Sequence, residues 1–114
     1  MGPDVVIKLY LQEIGQNPVL GKQEECDLFE KLHSGDESAR KEIIECNLRL
    51  VVKLALRYRG RGVALEDLVQ EGNIGLIDVI DRFDHTLGYR FSTYAAFWIR
   101  QAMQVAIRRH GSLI

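Results

Sequence analysis

The chain has 114 residues, 46% of them hydrophobic, and a formal net charge of −1, so it reads as one domain with material for a core of its own. No apolar run is long enough to span a membrane. The two cysteines are too few for a disulfide framework, and His33, His85 and His110 lack the spacing of a zinc site, so neither a metal nor another cofactor is expected.

With only two prolines and no strand-like alternation, the pattern predicts an all-α bundle of about five helices. The first spans 3–14, with Pro3 in its first turn and Gly15 as its stop. A loop containing Asn17-Pro18 follows, then a helix over 22–33 that ends at Ser34-Gly35. Residues 1–21 read as an N-terminal helix and loop, and 22–114 as the helical domain. The third helix, 36–58, is apolar on nearly every face from Ile43 to Leu56 and belongs in the centre of a bundle. Arg57 to Gly62 (Arg-Tyr-Arg-Gly-Arg-Gly) is a basic turn. A fourth helix covers 65–83, a loop 84–90, and a fifth helix 93–109 with Ser92 as its N-cap. Ser112-Leu113-Ile114 is apolar and carries no stop signal, which leads us to expect more protein after it.

On the fourth helix Leu65, Leu68, Val69, Gly72, Leu76, Val79, Ile80 and Phe83 form an apolar stripe. Opposite lie Asp67, Gln70, Glu71, Ile74, Ile77, Asp78 and Asp81. Two isoleucines on an acidic face have no core role and suit anchors for a protein partner within a polar rim. Gly72 and Gly75 each weaken a helix by about 1 kcal/mol relative to Ala, which makes sense where another backbone comes close. Packing within the bundle accounts for Gly72 better than for Gly75.

The fifth helix is read by turning about 100° per residue. Ala95, Ala96, Ile99, Ala102, Met103, Ala106 and Ile107 make the core stripe, while Tyr94, Phe97, Trp98, Gln101, Gln104, Val105 and Arg108 fall on the other side. The largest rings are therefore turned away from the apparent core. Rings that accept base faces, beside cations that accept phosphates, are what a binder of unstacked nucleotides needs. Charge agrees. Residues 1–81 hold ten Lys/Arg against fifteen acids, a balance of −5, whereas residues 82–114 hold five arginines and one acid, Asp84, a balance of +4. Arginine both stacks on bases and forks phosphates. Whole-chain neutrality speaks against long, sequence-blind binding of polyanions.

Three stretches carry a resemblance: Asn47-Leu48-Arg49-Leu50-Val51-Val52; Asp67-Leu68-Val69-Gln70-Glu71-Gly72-Asn73-Ile74-Gly75-Leu76; and Arg90-Phe91-Ser92-Thr93-Tyr94-Ala95 with Trp98-Ile99-Arg100-Gln101-Ala102. In this order they resemble the bacterial sigma-70 initiation factors over nearly the whole chain. Asp4 to Ile14 is similar to the end of the family's region 1.2, and the rest to region 2 and the first residues of region 3. The resemblance implies a cytoplasmic bacterial protein that docks on RNA polymerase and recognises and melts the promoter −10 element. Asp67, Gln70, Glu71, Asn73, Ile74 and Ile77 would meet the clamp helices of the polymerase β′ subunit. Tyr94 would stack in place of, or upon, the flipped −11 adenine of the single-stranded non-template strand, in a pocket that Phe83 and Asp84 help to form. Trp98, beside Phe97, would abut the pair at −12, with Gln101 and Gln104 reaching for its edge. Asn47, Arg49, Leu50, Ser92 and Thr93 would line a pocket for the −7 thymine. Arg82, Arg90 and Arg100 would contact phosphates, and Tyr89 and Phe91 belong to the same DNA-binding stretch. An anti-sigma factor or activator is a further implied partner.

This chain departs from the family at three places. Phe97-Trp98 replaces a common Trp-Trp pair, and Leu87 and Val105 stand where basic residues are frequent. A helical protein–protein adaptor that never touches DNA is the alternative from the residues themselves. An enzyme is disfavoured: Asp67/Glu71 and Asp78/Asp81 are helix-spaced carboxylates of the kind found on solvated faces, and no nucleophile–His constellation accompanies them.

Overall fold

A computed structural model describes residues 3–15 and 19–111. The expected Asn17-Pro18 loop and residues 1–2 and 112–114 lie outside the described residues. The elements are α1 (Pro3–Ile14), α2 (Lys22–His33), α3 (Glu37–Leu56), α4 (Leu65–Ile80), a single 3₁₀ turn (His85–Leu87) and α5 (Phe91–Gly111). The described residues contain no strand, so the all-α expectation holds. The continuously apolar α3 touches each of the other four helices, and Ile43, Val51, Val52 and Ala55 are wholly buried along it.

Local chemistry sets the corners. At the end of α2 the Gly35 N–H donates to the Leu32 carbonyl and the Asp36 N–H to the Lys31 carbonyl, both at 3.0 Å. This paired closure requires the positive φ of +100° that Gly35 supplies. Asp36 then caps α3, its Oδ1 accepting the Ser38 N–H at 3.0 Å. Hydrogen bonds from the Ser38 side chain and backbone hold the Asp36 carboxyl below the usual carboxylate range.

All eight residues of the apolar stripe read on α4 are buried. The helix itself stops at Ile80, short of the expected 83. The Arg82 and Phe83 N–H groups turn back to Val79 and Ile80 at 3.1 and 3.4 Å, tightening the last turn and dropping the Phe83 ring into the core. The most extensive helix pairing is α4 against α5, and both glycines serve it. A β-carbon at Gly72 would stand 2.5 Å from Met103 Cε and 2.7 Å from Val51 Cγ1. One at Gly75 would stand 3.2 Å from Ala102 Cβ and 3.4 Å from the Trp98 carbonyl oxygen. Gly75 is thus explained within the bundle, contrary to the sequence-based expectation.

α5 begins at Phe91, two residues before the expected start, so Ser92 lies inside the first turn instead of capping it. Its place is taken by Glu25 of α2, whose Oε2 accepts the Phe91 N–H at 3.0 Å. Nothing local in sequence announces a cap supplied from so far along the chain.

Candidate nucleic-acid interface

The centre of the aromatic region is Phe83. Its ring lies 5.0 Å from that of Phe29, 5.2 Å from Phe91, and 5.7 Å from each of Tyr89 and Tyr94. Phe83 and Phe91 are buried, at 2% and 0% exposure. Their assignment as DNA-contacting residues is therefore corrected: they are core residues that prop the two tyrosines from behind and present no surface to a ligand. Tyr89 is exposed, whereas Tyr94, expected to face solvent, is half-buried against Phe83. One turn further along, Phe97 and Trp98 are exposed (49% and 37%) and meet edge to face at 5.0 Å. The outward rings are thus Tyr89, Phe97 and Trp98, with Tyr94 braced beside them.

Asp84, exposed at the start of the 3₁₀ turn, accepts hydrogen bonds from the Thr86 hydroxyl and from the Thr86 N–H, the latter at 2.9 Å. Those bonds hold its carboxyl below the usual range. The loop is thereby shaped around a persistent negative charge, and Leu87 protrudes from it.

Between α4 and α5 runs a groove of about 250 Å³ lined by Glu71, Gly75, Asp78, Val79, Arg82, Trp98, Gln101, Ala102 and Val105. It brings Trp98, Gln101 and Arg82 together on one lining. Arg82 is exposed and Arg100 half-buried.

Other expected contacts are engaged elsewhere. Arg90 donates through Nη2 to the Leu20 carbonyl at 2.7 Å and lies 3.4 Å from Glu25 through Nε, so it braces the loop before α2. Gln104 donates to the Tyr58 hydroxyl at 3.1 Å, tying α5 to the end of α3 and away from the groove. Arg49 donates to the Gly15 carbonyl at 3.2 Å. Two residues along a helix is about 200° of turn, so Arg49 and Asn47 point to nearly opposite sides of α3. Asn47 is half-buried and returns its amide to the Ile43 carbonyl at 2.8 Å. Leu50 and Ser92 are half-buried and Thr93 is exposed. Arg49 therefore does not share a face with Asn47.

The outer face of α4 is open. Asp67, Gln70, Ile74 and Ile77 are exposed, Glu71 is half-buried at the groove, and Asn73 is half-buried with its Oδ1 lacking a hydrogen-bond partner among the described residues. Residues missed from sequence are the braces, Glu25 above all. The one available signal was an acid among the apolar positions of α2.

α5 thus presents an exposed aromatic, partly basic face and α4 an acidic face with two exposed isoleucines. Comparison with known proteins identifies the family. Residues 43–112 match Sigma-70 region 2, and residues 6–38 match Sigma-70 factor region 1.2. The chain belongs to the sigma-70 family of RNA polymerase sigma factors. The region 1.2 match begins within α1 and runs through α2 into the first residues of α3.

The chain is 53% identical over 104 residues to the RNA polymerase sigma factor SigA of Clostridium acetobutylicum, covering 91% of this chain and 28% of that protein. It is 50% identical over 101 residues to SigA of a Bacillus species (89% and 27%). It is 49% identical over 107 residues to the RNA polymerase sigma factor RpoS of Coxiella burnetii (94% and 30%). The chain therefore spans less than a third of the length of these relatives.

Proposed function

We propose that this chain acts in transcription initiation, docking through the outer face of α4 on the β′ clamp helices of RNA polymerase. It captures flipped bases of the non-template −10 element at the start of α5. The observation that carries the reading is the exposed Phe97–Trp98 pair, one helical turn from Tyr94, which with Tyr89 rests on the buried Phe83 ring. A base leaving the duplex forfeits a few kcal/mol of stacking and pairing. Stacking on an aromatic side chain returns about 1–3 kcal/mol. One captured adenine thus roughly offsets its own extrusion, and a second base or phosphate contacts bias the open form. Arg82 and Arg100 supply such phosphate contacts, and Gln101 with Trp98 addresses the last paired step. A·T-rich DNA with a flexible TA step opens most readily, which adds preference through deformability.

The test is binding of a single-stranded TATAAT oligonucleotide against one with the −11 adenine replaced, with and without a fragment bearing the β′ clamp helices. Preference for the adenine, strengthened by the fragment, is expected. Equal affinities in both settings defeat the proposal.

A further inference from the structure

Glu25 is the one buried charged side chain among the described residues, at 5% exposure, and neither surface described above uses it. It lies on α2, yet its Oε2 accepts the Phe91 N–H of α5 at 3.0 Å and sits 3.4 Å from Arg90 Nε. Arg90 in turn donates to the Leu20 carbonyl. The start of α5 is thus fastened to residues 20–25 through one carboxylate.

We propose that Glu25 is a positioning residue for base capture; this rests on the role proposed above for α5. The opening N–H groups of a helix have no partner within it, and the partial positive charge there favours an anion. Glu25 meets both conditions at Phe91. Tyr94 stands three residues further on, one turn away on the same side of the helix, and its ring leans on Phe83. Holding the first turn of α5 closed therefore fixes the direction from which Tyr94 meets a base. When stacking gains and extrusion losses nearly cancel, a ring already in place decides whether capture occurs. A carboxylate is well suited to this: it accepts from the backbone and from Arg90 at once, and a buried charge retained in a small core is otherwise an unfavourable way to join two helices.

The experiment compares Glu25→Ala, Glu25→Gln and Arg40→Ala with the parent 114-residue chain. Arg40→Ala removes the α3 contact to Asp81 and serves as a destabilised control away from α5. Each chain is assayed at a temperature where circular dichroism shows it folded. The readouts are preference for the −11 adenine over its replacement and hydrogen exchange at the Phe91 amide. Glu25→Ala is expected to lose about fivefold in preference, the scale of a lost helix cap, with faster exchange at Phe91. Glu25→Gln, which keeps an acceptor oxygen, is expected to retain part of both. Arg40→Ala should change neither. If Glu25→Ala does not fold, Glu25→Gln carries the test, and parental preference and exchange in that variant overturn the proposal. A discriminating parent with equally discriminating Glu25 variants, or with an equal loss in Arg40→Ala, overturns it alone. A parent without any preference overturns the base-capture reading, and this proposal with it.

Discussion

Gly75 on α4 faces Ala102 on α5 so closely that a β-carbon at Gly75 would lie 3.2 Å from the Ala102 methyl. The same probe at Gly72 meets Val51 Cγ1 at 2.7 Å and Met103 Cε at 2.5 Å. The Met103 methyl ends a flexible chain and can swing aside, whereas the β-branched Val51 is held to few rotamers. Gly72→Ala is therefore expected to destabilise by about 1–3 kcal/mol, the range for overpacking. At Gly75 the milder crowding is set against about 1 kcal/mol gained in helix propensity, so Gly75→Ala should stay within about 1 kcal/mol of the parent. Urea unfolding midpoints of the two variants check the ordering. A Gly72→Ala chain as stable as Gly75→Ala would mean that α4 is less tightly seated than the distances say.

Phe91 and Trp98 mark the difference between the buried rings and the outward ones. Phe91 is completely buried and Trp98 is 37% exposed. Phe91→Ala should cost about 3–5 kcal/mol of stability, as buried Phe truncations do. Trp98→Ala should cost clearly less while weakening binding of the −10 single strand by about 1–3 kcal/mol. Thermal melts and oligonucleotide titrations on the same preparations distinguish the two. Unfolding of both variants would favour the adaptor reading, for which Trp98 serves packing and not DNA.

How far a helical wheel reaches is visible in these same elements. The wheel placed every member of the α4 stripe correctly and put α3 at the centre, because a face is a property of spacing alone. It also turned Phe97 and Trp98 outward. It could not say what stands opposite a given face. Arg90, Gln104 and Arg49 have the chemistry of DNA contacts, but their hydrogen bonds go to Leu20, Tyr58 and Gly15, partners 34 or more residues away in the chain. Ser92 failed as a cap for the same reason, since Glu25 arrives from α2. Phe83 already lay on the buried stripe of the wheel, and only the family resemblance set it against DNA; Phe91 falls at the very start of its helix, where periodicity no longer decides between inside and outside. The positions that needed tertiary structure are those whose partner lies far along the chain.

Arg40 grips both carboxylate oxygens of Asp81, at 3.1 and 2.9 Å, joining the first turn of α3 to the C-cap of α4. That hydrogen-bonded contact is the main reason the Asp81 carboxyl lies below the usual range. A folded-state value below the unfolded one contributes stability above about pH 4, and the contribution disappears as pH falls through the folded value. Asp36 and Asp84 shift in the same direction, so stability should decline on acidification below about pH 4. Asp81 is largely exposed, and its share should not exceed about 1 kcal/mol. Urea midpoints between neutral and acid pH measure the slope. Asp81→Asn should flatten it, and added salt should reduce the difference between the two chains. An unchanged slope in Asp81→Asn would assign the acid sensitivity to the two caps.

Ile74 and Ile77 are 54% and 45% exposed on α4, with Asp67 and Gln70 around them. Substituting exposed side chains away from caps and buried networks usually changes stability by no more than about 0.5 kcal/mol. The paired change Ile74→Ala, Ile77→Ala should therefore leave the melting temperature nearly where it was. An apolar anchor within a polar rim concentrates binding energy, and losing two such anchors should weaken docking on the β′ clamp helices by about 2 kcal/mol or more. That is a loss of roughly thirtyfold in affinity. Asp67→Asn on the rim should act more weakly and mainly on the association rate, with a salt dependence the isoleucine pair lacks. Titration of a clamp-helix fragment at two ionic strengths reads both effects. The paired isoleucine variant binding as tightly as the parent would remove α4 as the docking face, while leaving the aromatic surface of α5 to be judged by its own tests.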